Sequence, residues 1–432
     1  MSASASSKYA HLVINKDGKT ANIQAKTIQF NYYESLYSPI VTATLSFIDS
    51  GGSVKADKEQ DSNERLTNIH DGLPITGLED VEIKIESKFG TLDFKKNPLK
   101  INSAPVISQE SNRQTVFLSM NSAPAVTNND SPIARKFKGS ISDTVTKILT
   151  NDLKITENRI KVDKTQNSYA FVGRRRGGLD IINDLCRRSI PVNGDAGYFF
   201  YETQDGFNFR SIDKLIEEGT EKIKSDASYK TSHTYFYDGV LSNSAENDFK
   251  ILIEPRFTKD QDVLTALKEG HYYSHNIFYD PRTQKKDEKT FKLEEGGLKQ
   301  TLGKPKLSLK DRVNSYTKVN MHVLDIGSQE PGVDVNPNND PREWLATSRA
   351  RYNLLHTQMM FIQVPCNLEL KAGEVIRCEI EFPGEKKEEG AVSQQQSGNY
   401  LILHLCHSFN AQRSFTSMTV VRDTYGLHTN KG

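Results

Sequence analysis

The sequence predicts a mainly β fold with α+β insertions. Three observations carry that expectation: alternating strands from Lys8 to about Ala123, helical periodicity between residues 126 and 230, and alternating strands again at the end of the chain. At 432 residues the chain exceeds what one hydrophobic core usually supports, so several domains are expected. The pattern divides it into a first β region at 1–125, an α+β module at 126–230 and a second β region from 231–258 with 345–432. An insertion at 259–344 is expected to pack with the module.

The strands of the first region are "IVTATLSFID" from Ile40, "VEIKIES" from Val81 and "QTVFLSM" from Gln114. Val81, Ile83 and Ile85 point one way while Glu82, Lys84 and Glu86 point the other, the period of a half-buried antiparallel strand in a barrel or sandwich. Polar, Gly-bearing residues from Asp49 to Pro74 read as a long interface loop, and "NSAPAVTNNDSP" from Asn121 as a linker. In "SISDTVTKILTNDL" the apolar residues Ile141, Val145, Ile148, Leu149 and Leu153 share a helical face, and Ser140 with Asp143 resembles a capping box. A second helix follows in "GLDIINDLCRRSIP", with Leu179, Ile182, Leu185 and Cys186 on one stripe and Pro191 beyond its end.

Next comes "YFFYETQDGFNFRSID", Tyr198 to Asp213, an aromatic hairpin. Tyr198 and Phe200 share one strand face and Phe199 and Tyr201 the other. Helices are expected to cover one face, and the chain's own second half or a neighbouring subunit the other. A short helix at "IDKLIEE" (Ile212 to Glu218) ends the module. The second β region opens with alternation in "NDFKILIEPRFT" from Asn247, and a helix starts at "NDPREW", where Asp340 can cap and Pro341 suits the first turn. Trp344, Ser348, Tyr352 and Leu355 mark its buried stripe. The strands "MMFIQVP", "EVIRCEIEFPG", "NYLILHLCHSF" and "FTSMTVVRD" follow. "GLEDVEIKIES" at Gly77 and "AGEVIRCEIEF" at Ala372 echo each other, which permits a duplicated β unit.

Lys+Arg 56 against Asp+Glu 55 leaves a net charge of +1, so no whole-molecule field draws the chain to nucleic acid or an anionic membrane. Cys186, Cys366, Cys378 and Cys406 form no CxxC pair and read as reduced, mostly buried thiols. Neither a signal peptide nor a membrane span is expected, which suits a protein made in a cytoplasm. In "LHLCHSF", His404 and Cys406 share a strand face while His407 points away, too few convergent ligands for zinc. His271 and His275 in "HYYSH" lack the helical face that chelation at that spacing needs. "GRRRGG" sets Arg174, Arg175 and Arg176 before a helix start, as an anion site or as a solvated or subunit-contact loop, the latter favoured. Nucleotide-binding glycine loops, GxSxG and HExxH are absent, so no metal, cofactor or catalytic residue is expected.

Together, "LPITGLEDVEIKIES", "SPIARKFKGSISDTVTKILTNDLKI", "GGLDIINDLCRRSIP", the aromatic hairpin, "VPCNLELKAGEVIRCEI" and "YLILHLCHSFNAQRSFTSMTVVRDTYG" resemble the baseplate hub proteins of contractile-tailed phages, related to the hub portion of type VI secretion spike proteins. Cys366 stands where such turns often have glycine, and Lys259 to Asn339 has no counterpart. The resemblance implies two tail-tube-like barrels per chain and a homotrimer whose six barrels make a pseudo-sixfold ring. That ring would adapt a hexameric tail tube, or its initiator, to a trimeric central spike, contact baseplate wedge proteins and let DNA pass without specific binding. The protein would be a non-enzymatic part of the virion tail, assembled in the host cytoplasm without membrane insertion. Phe199, Tyr201 and Arg174 to Arg176 are its candidate subunit or partner contacts. Two rival readings are a tail-associated peptidoglycan hydrolase and a carbohydrate-binding tail-tip protein with the aromatics as sugar platforms.

Overall fold

The computed structural model describes residues 6–50, 54–55, 66–67, 69–73, 75–110, 113–239, 248–260, 262–281, 283–293, 298–303, 318–324, 340–381 and 392–424. Most of the loop expected between Asp49 and Pro74, and much of the insertion, lie outside these residues.

The fold is mainly β. In the first region, strands Lys8–Lys16, Lys19–Asn22, Thr27–Ser35, Thr42–Asp49, Asp80–Glu86, Leu99–Ser103 and Gln114–Ser122 are linked by antiparallel pairing. Their inward side chains, among them Leu12, Tyr32, Phe47, Ile83, Ile101 and Leu118, meet in one core, so the sheet curls around it. Strands Arg256–Lys259, Gln358–Pro365, Val375–Ile380, Gly398–Asn410 and Ser414–Arg422, with Thr234–Tyr237 parallel to Val375–Ile380, enclose a second core of Tyr235, Ile362, Ile376, Tyr400 and Val420. Alternation of apolar and polar residues dictates both arrangements, because each strand has one face to bury.

Among the described residues the two β regions form one 15-stranded sheet. Strand Gly398–Asn410 joins them: its first half pairs with Val375–Ile380, and its second half pairs antiparallel with Thr27–Ser35, from His404 opposite Ser35 to Asn410 opposite Gln29. Its side chains enter three cores. Tyr400, Ile402 and Leu405 fill the second β core, Phe409 the first, and Leu401 with Leu403 a core shared with the aromatic hairpin.

The echoed segments build the same local device. Glu79 accepts from the Thr76 N–H (2.7 Å), and Glu374 from the Lys371 N–H (3.0 Å), a carboxylate reaching three residues back in each turn. Gly77 and Gly373 take the left-handed backbone there, with φ of +110° and +87°. The strands that follow differ in surroundings. Asp80–Glu86 has antiparallel neighbours, whereas Val375–Ile380 has one parallel neighbour.

In the module, strands Tyr198–Thr203 and Gly206–Ser211 form the hairpin, and Ile160–Val162 adds a parallel edge. Helices Ile141–Lys147 and Gly178–Cys186 cover the face carrying Tyr198, Phe200, Phe207 and Phe209. Four local readings need correction. The linker at Asn121 contains a helix, Ala123–Asp130, because Pro124 sits in the first turn, where it costs no hydrogen bond. No capping box forms at Ser140, whose hydroxyl instead contacts Ser142 (2.7 Å) and Thr165 (3.2 Å). The helix at Ile212 runs to Ser225, with Ile223 as a late apolar anchor on a polar surface. Residues 248–255 are not a strand; regular pairing begins at Arg256, after Pro255.

Candidate functional site

The sequence segments that differ most in character converge on a buried junction. Glu34, 2% exposed, is the penultimate residue of Thr27–Ser35, the strand of the first region that pairs with Gly398–Asn410. Its carboxylate accepts from the Gln204 N–H of the hairpin turn (2.9 Å), from the Ala372 N–H of the second β region (2.9 Å) and from the Tyr32 hydroxyl (2.8 Å). Three parts of the chain thus share one side chain. Burial pushes its carboxyl up to about 7 against the pull of those donors. Glu202, on the hairpin itself, accepts from the Val41 N–H (3.0 Å) with the Arg159 guanidinium 3.6 Å away, and burial pushes it up to about 7 as well.

Phe199 and Tyr201 lie against this junction. They are 2% and 3% exposed and pack with Leu36, Leu215, Leu355, Val375, Leu401 and Leu403, so the second hairpin face is covered by the chain's own second half. Tyr201 also abuts the Gly373 turn, where a Cβ would overlap its hydroxyl. These aromatics offer no platform to a sugar.

A second buried knot escaped sequence reading. Arg351, with 0% exposure, sits 2.9 Å from Asp213 and 2.8 Å from Asp423 and donates to the Gln300 carbonyl (3.0 Å). Asp213 accepts from the Asp195 N–H (2.6 Å) and Asp423 from the Leu302 N–H (3.0 Å). One arginine therefore ties the module, the insertion and the bend that follows strand Ser414–Arg422 of the second β region. A helical stripe of Trp344, Ser348, Tyr352 and Leu355 leaves Arg351 on its border, where a charged residue reads as solvent-facing; its two carboxylate partners are far away in sequence.

Arg174, Arg175 and Arg176 are exposed and far from these knots in their contacts. Arg176 pairs with Asp184, while Arg174 and Arg175 make no ion pair among the described residues. The helix start behind them is not an open anion site, because the Asn128 side chain accepts from the Leu179 N–H (2.8 Å). His404 is exposed and contacts Ser35 (2.7 Å), whereas His407 is buried, contacts Thr416 (2.9 Å) and is driven down to about 3 by desolvation. His271 and His275 face separate carboxylates, Glu269 and Glu288. No cluster among the described residues could hold a metal ion.

Two clefts flank the hairpin. One, about 400 Å³, runs between its second strand, helix Ile212–Ser225 and the Gly373 turn. Its carboxylates are engaged: Asp205 by Lys371, Glu218 by Arg210 (2.7 Å), and Glu374 by the Lys371 N–H. Burial alone would raise the Glu218 carboxyl, but Arg210 prevails and holds it below the ordinary range, the opposite of what a general acid needs. The other cleft, about 750 Å³, lies between helices Gly178–Cys186 and Pro341–Leu355. Tyr37, 48% exposed, stands at its edge with its hydroxyl 3.0 Å from His356.

No family model and no curated protein matches the chain. Among solved structures it is similar to a tail protein from Neisseria meningitidis MC58, at 10% identity and a TM-score of 0.51, over 96% of each chain. It is likewise similar to the 43 kDa tail protein of prophage MuSo2 from Shewanella oneidensis, at 10% identity and a TM-score of 0.52, over 96% of this chain and 98% of that one. The chain has the fold of these phage tail proteins, in keeping with the resemblance read from its sequence.

Proposed function

We propose that this chain is a structural hub subunit of a contractile phage tail. As a homotrimer it forms a pseudo-sixfold ring that adapts the hexameric tail tube to a trimeric central spike and lets DNA pass. The observation that carries this reading is the strand Gly398–Asn410, which pairs with both β regions and fills three cores. An adaptor must hold its two tube-like units in one fixed relation, because a hinge between them would blur a sixfold surface. A shared strand and buried polar knots supply that rigidity within each chain. The repeated Glu79 and Glu374 turns support a common origin for the two units.

The reading extends to partners: the spike below, the tube or its initiator above, and wedge proteins at the rim, all within a virion baseplate assembled in the host cytoplasm. The residues carry no catalytic role in it, since the carboxylates of the hairpin cleft are bound in ion pairs and backbone hydrogen bonds. Among the described residues no helix is long and apolar enough to cross a membrane. Light scattering across a concentration series, with and without the spike protein, tests the proposal. A mass near three chains is expected in at least one condition, and a strict monomer in all of them would count against the ring.

A further inference from the structure

The turn Gly173–Arg176 combines two features that chemistry sets against each other. Its Arg176 N–H donates to the Gly173 carbonyl (3.1 Å), and the two central residues, Arg174 and Arg175, have φ of +54° and +56°. This is the pattern of a mirror-image β-turn, whose central positions favour Asn and Gly because a Cβ there crowds the backbone. Arginine at both positions is the costly choice.

The strain is held in place from both ends. Gly173 donates to the Arg135 carbonyl (3.0 Å), and the Ile133 N–H donates to the Arg176 carbonyl (2.9 Å). A Cβ at Gly173 would overlap the Ile133 carbonyl, so the backbone lies directly on its neighbour. The exposed Arg174 and Arg175 side chains are thus presented from a fixed turn and have no ion pair among the described residues. Backbone strain maintained at the surface points to a demand on the side chains themselves.

We propose that Arg174 and Arg175 form a docking point for a pair of carboxylates on a partner protein. Each guanidinium fork can take one carboxylate through two charge-assisted hydrogen bonds, and a rigid turn reduces the ordering cost of doing so. A nucleic acid is the poorer fit. Arg176 is already neutralised by Asp184 and Arg135 by Asp152, which leaves fewer free charges beside the turn for the closely spaced phosphates of a duplex. The inference rests on the turn and does not require the trimer.

The test uses the full chain with Arg174→Asn and Arg175→Gly together, and separately Arg174→Lys with Arg175→Lys. Binding of a labelled oligoglutamate peptide and of a short DNA duplex is followed by anisotropy at low salt, alongside thermal melting. The Asn–Gly pair should raise the melting temperature, relieving the turn, while weakening peptide binding about tenfold or more. The lysine pair should keep the strain and still weaken binding, because it lacks the forks. Unchanged peptide affinity in both variants would overturn the proposal, as would a lower melting temperature in the Asn–Gly variant. So would duplex DNA bound more tightly than the peptide and released by the same substitutions.

Discussion

Arg351→Met should destabilise this protein by about 3–5 kcal/mol, the cost typical of removing one partner from a buried ion cluster. The substitution keeps much of the side-chain volume but leaves Asp213 and Asp423, 2% and 3% exposed, facing each other's environment without their cation. It also strands the Gln300 carbonyl. Because Asp213, Arg351 and Asp423 come from the module, helix Pro341–Leu355 and the bend just after strand Ser414–Arg422, the loss should loosen the packing between them before it unfolds either β core. Trp344, the chain's single tryptophan, is 7% exposed on the same helix and has Arg188 over its ring at 5.6 Å, so its emission reports that loosening. Denaturant titration should show the tryptophan transition shifted to lower concentration. Adding Asp213→Asn and Asp423→Asn to Arg351→Met should recover part of the loss, since no buried charge then remains unpaired. A single Arg351→Met variant within about 1 kcal/mol of the parent would refute the role assigned to the knot.

Glu34→Ala should cost about 2–5 kcal/mol by leaving the Gln204 and Ala372 N–H groups and the Tyr32 hydroxyl buried without their acceptor. Glu34→Gln isolates the charge. In the folded chain burial raises this carboxyl to about 7 from its ordinary 4.5, so the folded state holds the proton more tightly than the unfolded one. That contribution to stability is fully present below about pH 4.5 and is lost as pH rises through about 7. With each tenfold change in acid constant equal to about 1.4 kcal/mol, the swing is on the order of 3 kcal/mol. The Gln variant, unable to ionise, should show a shallower fall in stability from pH 5 to 8, and Glu202→Gln should remove a second share of the slope. Parallel stability curves for parent and Glu34→Gln across that window would contradict the assignment.

Much of this fold is legible in the chain because each strand has one face to bury. "VEIKIES" reveals its face by alternation, and the four aromatics from Tyr198 to Tyr201 reveal two faces, one for the helices and one for the second half, whereas "NYLILHLCHSF" buries both of its faces across a register shift at Ile402 and His404. What sequence could not give is pairing across distance. Nothing local to Glu34 indicates that Gln204 and Ala372 meet it, and Arg351 reads as a surface residue until Asp213 and Asp423 arrive from elsewhere. Polar residues whose partners lie 72 to 338 positions away follow no period. The same applies to the join between Thr27–Ser35 and Gly398–Asn410, since strand alternation fixes a face but not a neighbour. Local chemistry misled at Asn121, where Pro and Asn suggested a linker but a first-turn proline opens a helix.

The central claim is that each chain rigidly couples two tube-like units and that three chains close a ring. End-on electron-microscope averages of the purified protein, alone and with the spike, test it most directly. The account predicts rings with six peripheral lobes related by threefold symmetry around an open centre. Rings of another order, or isolated two-lobed particles under every condition, would contradict it.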